Sequence, residues 1–235
     1  CYSNLTKKEI INRINSLAIT FYQNIFDYIV LRINNQISNF KSDTKIGILD
    51  IFGFEIFEKN NFEQLCINYA NESLQNQFNK YIFKYEQEIY KKEEIDWTFI
   101  KYEDNQKFID LIENNNNGII SILNETCRFS KSTDTKFLCQ LINNHQKNDK
   151  FICKSLDKSK NQFYLKHYAG TVKYNLNDFC KKNKDELHLD CVNLINSSKY
   201  LFLNSKKNNS NSKTGSIKTV TVSTQFKKQL LNLMR

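Results

Sequence analysis

Two apolar stripes with helical spacing constrain this chain more than any other feature. The first recurs at Ile10, Ile14, Leu17, Phe21, Ile25, Tyr28 or Ile29, Ile33 and Ile37, and no breaker interrupts it. The second begins at Phe62 and continues through Leu65, Tyr69, Phe78, Ile82, Tyr85 and Ile89 to about Lys92. Asn61 is placed to cap it, Gln64 follows three residues later, and Glu63 in the first turn suits the helix dipole. Thirty residues at 1.5 Å each make a rod of roughly 45 Å. A rod of that length can carry a displacement from one end to the other.

Between the stripes lies KIGILDIFGFEIFEKNNFEQL, residues 45–65. KIGILD reads as a short buried strand whose apolar density suits a central position covered on both faces. The chain has no proline and five glycines, yet it places Asp50 and Gly53 together at this strand's end. Nucleoside triphosphatases use strand-D-x-x-G in this way. The carboxylate reaches a magnesium-bound water, and the glycine offers an unobstructed backbone N–H to the γ-phosphate. The spacing alone is weak, because an ordinary strand-to-loop turn also produces it. The kinase D-F-G does not apply, since the letters here are D-I-F-G and no H-R-D loop precedes them.

The rest of the chain is mainly helical. EEIDWTFI ends the rod and holds the single tryptophan, Trp97. NQKFIDLIEN, GIISILNETCRF and TDTKFLCQLINNH read as helices, and the last two form a helix pair over 118–145 capped by Thr133 or Asp134. QFYLKHYAGTVKYN alternates as a β-hairpin with Gly170 at or near its turn. LNDFCKKNKDELHLDCVNLINSS returns to helix, residues 204–218 form a polar lysine-bearing loop, and a last amphipathic helix carries Phe226, Leu230, Leu231 and Met234.

Composition excludes several classes. No run of 18 uncharged apolar residues exists, so no segment reads as membrane-spanning. CYSNLTKKEI is neither a signal peptide nor a methionine start, and it reads as a chain cut from something longer. The seven cysteines lack C-x-x-C spacing. Cys139 with His145, or His188 with Cys191, could be metal ligands, but buried reduced thiols fit better. Residues 50–110 hold 7 Lys against 13 acids, whereas residues 128–235 hold 21 Lys/Arg against 7 acids. The basic surplus in the C-terminal half suggests an acidic partner there. No pattern of interleaved aromatic and basic residues supports nucleic-acid binding.

The longer strings are more specific. DIFGFE followed by NNFEQLCINYANESLQNQFN resembles the switch II segment and relay helix of the myosin motor. EEIDWTFI, GIISILNE, TDTKF, HYAGTVKYN, KNKDEL and VSTQFKKQLLNLM match in the family's order, and SLAITFYQNIFDYIVLRIN resembles the helix before switch II. The resemblance runs from about Arg13 to Met234. It implies an α/β fold of the P-loop NTPase type. The piece here would be predominantly helical, with one buried central strand, a small β-hairpin and an incomplete sheet.

By the same resemblance, residues 1–44 form the helix preceding switch II, and 45–110 the strand, switch II, relay helix and relay loop. Residues 111–203 would be the lower actin-binding subdomain, 204–218 a flexible loop like the family's loop 2, and 219–235 the start of a further helix. Asp50 would hold Mg2+ through water, Gly53 would donate to the γ-phosphate of ATP, and Glu55 would pair with a switch I arginine that closes the site. Asn71 would support the switch, and Phe78, Ile95 and Trp97 would couple the relay to a converter. Lys131, Lys136, Lys206, Lys207, Lys213 and Lys218 would meet F-actin. The resemblance implies a cytoplasmic, cytoskeletal location, with light chains or cargo bound elsewhere. A non-catalytic actin-binding scaffold is the alternative.

Three departures stand out. No glycine has another glycine five residues later, so no P-loop is present, and these residues alone are expected not to hydrolyse ATP. NSSK at 196–199 looks like a switch I string but lies in the wrong place and lacks the arginine. Ser130 and Glu186 stand where the family usually has proline.

Overall fold

The computed structural model describes residues 5–37, 44, 46–98, 104–129, 132–184, 189–200 and 220–234. In chain order the helices are α1 (Lys7–Ile37), α2 (Phe62–Asn79), α3 (Glu86–Lys92), α4 (Gln106–Glu113), α5 (Ile119–Arg128) and α6 (Asp134–His145). They continue with α7 (Ser155–Ser159), α8 (Phe179–Asn183), α9 (Leu189–Asn196) and α10 (Val222–Leu233). Three strands, β1 (Phe151–Ile152), β2 (Gln162–His167) and β3 (Gly170–Asn175), form one antiparallel sheet in that order.

The chain divides into two compact units. The first comprises residues 1–49 and 185–219, the second 50–184 and 220–235. In the first, α1 opens on a cap that its sequence spells out: Glu9 Oε2 accepts from the Thr6 N–H at 2.8 Å and from its hydroxyl at 2.7 Å. Arg13 on α1 reaches Asp190 on α9 at 3.4 Å. The run before Asp50 is not the buried strand that its composition suggests. Residues 46–49 form no strand, and Ile46 and Ile48 are 99% and 95% exposed. A strand is completed by the N–H and C=O groups of a neighbour, and among the described residues no strand lies beside this run.

The second unit holds the core, built where α2, α4, α5, α6 and the sheet meet. Tyr69, Phe108, Ile112, Leu123, Phe137 and Leu141 are each at most 1% exposed. Aromatic stacking ties the layers together. Phe163 stacks on Phe151 and on Tyr174 at 5.6 Å each, while Phe62 meets Phe179 edge-on at 5.7 Å. Thr133 caps α6 by accepting the Lys136 N–H at 3.2 Å, which completes the expected helix pair. The hairpin turns at Tyr168 and Ala169, and Gly170 there adopts φ 146°, a region that only glycine occupies readily.

The rod of the second stripe is continuous to Lys92, but Lys80–Tyr85 is π-helical between α2 and α3. Its first half is core. In the second half Phe78, Tyr81, Tyr85 and Ile89 are all about half exposed among the described residues. The helical stretch expected over 176–198 is instead α8 and α9, with residues 185–188 outside the described set. The strand β1 has no counterpart in the sequence reading.

Candidate functional site

Residues 50–57 have no regular structure of their own, yet side chains of α2 and of the residue just before its cap capture their backbone polar groups. Asn68 does most of this. Its Oδ1 accepts the Glu55 N–H at 2.8 Å and its Nδ2 donates to the Glu55 carbonyl, also at 2.8 Å. Three residues on, Asn71 Nδ2 donates to the Phe52 carbonyl at 3.0 Å and to Ile67 O one turn back at 2.9 Å. One turn before Asn68, Gln64 holds two points: its Oε1 accepts the Asn61 N–H at 2.9 Å and its Nε2 donates to Glu55 Oε2 at 3.3 Å. Positions 64, 68 and 71 share one face of a helix, so one surface of α2 reads the whole segment.

The segment's end is fixed differently. Asn60 is fully buried. Its Oδ1 accepts from the Phe57 N–H at 2.9 Å, and its Nδ2 donates to Phe57 O and to Lys173 O on β3 at 2.9 and 3.0 Å. The Asn175 N–H donates to Asn60 O at 2.8 Å. Phe54 packs edge-on against His167 at 5.0 Å and Tyr168 at 5.6 Å. The switch-like segment is therefore held between α2 and the hairpin.

The expected site residues sort clearly against this frame. Asp50 is exposed and Glu55 half-buried. Gly53 is open: a methyl group added there would meet no atom within 4 Å, and its φ is not positive. Among the described residues, neither space nor backbone conformation requires glycine at that position. The described residues hold no group of three or more His, Cys, Asp or Glu that could hold a metal ion.

At the far end of the rod, the chain folds back at Glu94, whose φ is 58°. Ile95 N donates to Tyr90 O at 3.0 Å, Trp97 Nε1 donates to Gln87 Oε1 at 3.2 Å, and the Trp97 and Tyr90 rings lie 5.0 Å apart. Phe78, Ile95 and Trp97 are 55%, 48% and 43% exposed, so their faces are open for contact. Lys136 is exposed in the first turn of α6. Lys131, Lys206, Lys207, Lys213 and Lys218 lie outside the described residues, as do Ser130, Glu186 and His188.

Sequence reasoning missed Asn68 and Asn60, and it missed a buried polar cluster next to them. Glu72, fully buried on α2, accepts from Asn105 Nδ2 at 2.8 Å and from the Tyr168 N–H at 3.2 Å, and lies 3.2 Å from His167 Nδ1. Burial lowers the His167 pKa, and Glu72 opposes it less strongly. Burial raises that of Tyr174.

The model of the myosin head (motor domain) matches residues 1–235. The chain is 48% identical over 190 residues to the myosin-I heavy chain of Dictyostelium discoideum, covering 80% of this chain and 8% of that protein. It is 42% identical over 227 residues to myosin-14 of Arabidopsis thaliana, covering 94% of the chain and 14% of the relative. The maize protein OPAQUE1 is 41% identical over 223 residues, with the same two coverages. The chain thus spans a small part of each relative's length. With the whole of it matched, and with Asp50, Gly53 and Glu55 set against an intact relay-like helix, the chain belongs to the myosin head (motor domain) family.

Proposed function

We propose that this chain is the switch II, relay and lower actin-binding portion of an ATP-driven motor that moves on F-actin in the cytoskeleton. The observation that carries this is the hold of α2 on residues 52–55. Phosphate-dependent movement at Gly53 has a direct path into a rod, through Asn71 and Asn68, and the rod ends in exposed aromatic surface. In this reading Asp50 holds magnesium through water, Gly53 donates its N–H to the γ-phosphate, and Glu55 pairs with an arginine supplied by another part of the motor. Bound Mg-ATP supplies the charge that the switch senses. Phe78, Ile95 and Trp97 pass the movement to a converter, while Lys131, Lys136 and the lysines of 204–218 dock on acidic filament surface.

The test is Glu55→Ala in the intact motor. ATP binding should persist while hydrolysis falls by roughly 100-fold or more, as when a transition-state partner is removed. Unchanged turnover would overturn the role given to Glu55, whereas absence of turnover in the unsubstituted intact protein would overturn the motor reading in favour of a filament-binding scaffold. The 235-residue chain alone should show no turnover above a buffer blank. Its co-sedimentation with F-actin should weaken steeply as salt shortens the Debye length from about 30 Å at 0.01 M to about 8 Å at 0.15 M.

A further inference from the structure

The buried polar groups behind the switch form one connected chain, and counting hydrogens fixes its direction. Asn68 Nδ2 carries two hydrogens. One goes to the Glu55 carbonyl at 2.8 Å and the other to the Tyr174 hydroxyl oxygen at 3.0 Å. Asn68 Oδ1 takes the Glu55 N–H, so the amide has one orientation. Tyr174 has a single hydrogen, and its oxygen already accepts from Asn68. That hydrogen therefore goes to His167 Nε2, 2.9 Å away. Nε2 must then be bare, so Nδ1 carries the ring proton and donates to Glu72 Oε2 at 3.2 Å. An imidazolium at 167 would strand the Tyr174 hydrogen in the core. His167, Tyr174, Asn68 and Glu72 are all buried, the last two completely.

We propose that His167 is a positioning residue for Glu55: its bare Nε2 aims the Tyr174 hydroxyl, Tyr174 aims the Asn68 amide, and Asn68 locks both polar groups of the Glu55 peptide. The assignment deepens the motor reading above and rests on it for the role of Glu55. It makes the Glu55 peptide a fixed point. Upstream, the Phe52 carbonyl is held by one exposed bond from Asn71, which leaves Asp50 to Gly53 the mobile part. The groups facing the His167 ring are Glu72 from α2, Tyr174 from β3 and Tyr168 from the turn, with the Phe54 and Phe108 rings against its faces at 5.0 and 4.3 Å.

The chain has three histidines, so 15N-histidine NMR of the 235-residue protein can resolve each ring. The expected result at neutral pH is the Nδ1–H tautomer for His167. In Tyr174→Phe the bond that favours the bare Nε2 is lost, so the His167 pKa should rise toward an imidazolium facing Glu72. Hydrogen exchange at the Glu55 amide should speed up about tenfold, the equivalent of one lost hydrogen bond. A Phe137→Leu variant, which loosens the core where Phe137 stacks on Phe179 rather than on a member of the polar chain, should leave the tautomer unchanged. An Nε2–H tautomer or an imidazolium in the wild type overturns the proposal, as does unchanged Glu55 exchange in a folded Tyr174→Phe chain. If Tyr174→Phe fails to fold, the wild-type spectrum decides. Absence of ATPase activity in the intact protein would sink the motor reading and leave these spectra unaffected.

Discussion

Glu72→Ala should destabilise the second unit by about 3–5 kcal/mol, the cost of leaving three buried donors without their acceptor. Three donors converge on this carboxylate: His167 Nδ1, the Tyr168 N–H and Asn105 Nδ2, and the residue is fully buried. Each would lose its acceptor in a fully buried site, at about 1–3 kcal/mol apiece before relaxation. Asn105 also donates to the Glu72 backbone carbonyl at 3.0 Å, so it stays near and absorbs part of the loss. Glu72→Gln should recover only a fraction of the stability. A carboxylate offers acceptors alone, whereas glutamine brings an NH2 that must face one of these donors. Urea unfolding of the three proteins, followed by tryptophan fluorescence and far-UV circular dichroism, gives both differences directly. Equal stability of Glu72→Ala and wild type would mean that the cluster contributes nothing, and the assigned direction of the His167 proton would lose its acceptor as well.

That cluster also shows where the sequence stops being readable. Apolar periodicity located α1, α2, α5, α6 and the hairpin, because each turns one face to a core or carries a cap such as Thr133. The same periodicity gives no sign of the role of Asn68, Glu72 and Asn76. Spaced four apart, they look like a solvated helix face, yet they are 0%, 0% and 6% exposed. Their partners Asn105 and Tyr174 lie 29 to 106 positions away, and no local pattern announces such pairing. The strand expected at 45–50 failed for the opposite reason. Its residues have the right composition, but a strand is a property of a pair, and composition cannot say whether a neighbour is present. Asp50, Gly53, Glu55 and Asn71 were legible only through their resemblance to a family, since D-x-x-G on its own is common. In the structure Asn71 Nδ2 donates to Phe52 O at 3.0 Å, a bond that no local pattern in the sequence announces.

Two glycines separate what a fold demands from what a ligand demands. Gly118 caps α5 with φ −66° and ψ 155°, angles open to any residue. The constraint there is space. A methyl group would lie 2.5 and 2.6 Å from the backbone O and N of Asn114 and 2.8 Å from Ile112 O. Backbone cannot swing aside as a side-chain tip can, and this turn is pinned from several directions. Asn114 Oδ1 accepts the Asn116 N–H at 2.9 Å, Lys227 donates to Asn115 Oδ1 at 3.0 Å, and Ile112 and Ile119 on either side are buried. Gly118→Ala should therefore cost about 3 kcal/mol, the upper end for overpacking, and should lower Tm by several degrees. Gly53→Ala should leave the same melting curve within about 0.5 kcal/mol of wild type, since nothing in this chain occupies the added methyl's place. In the intact motor the order reverses, because the methyl then obstructs the N–H offered to phosphate, and hydrolysis should collapse in Gly53→Ala despite normal stability. A Gly53→Ala chain as unstable as Gly118→Ala would mean that the glycine serves the fold, and the switch role assigned to it would fail.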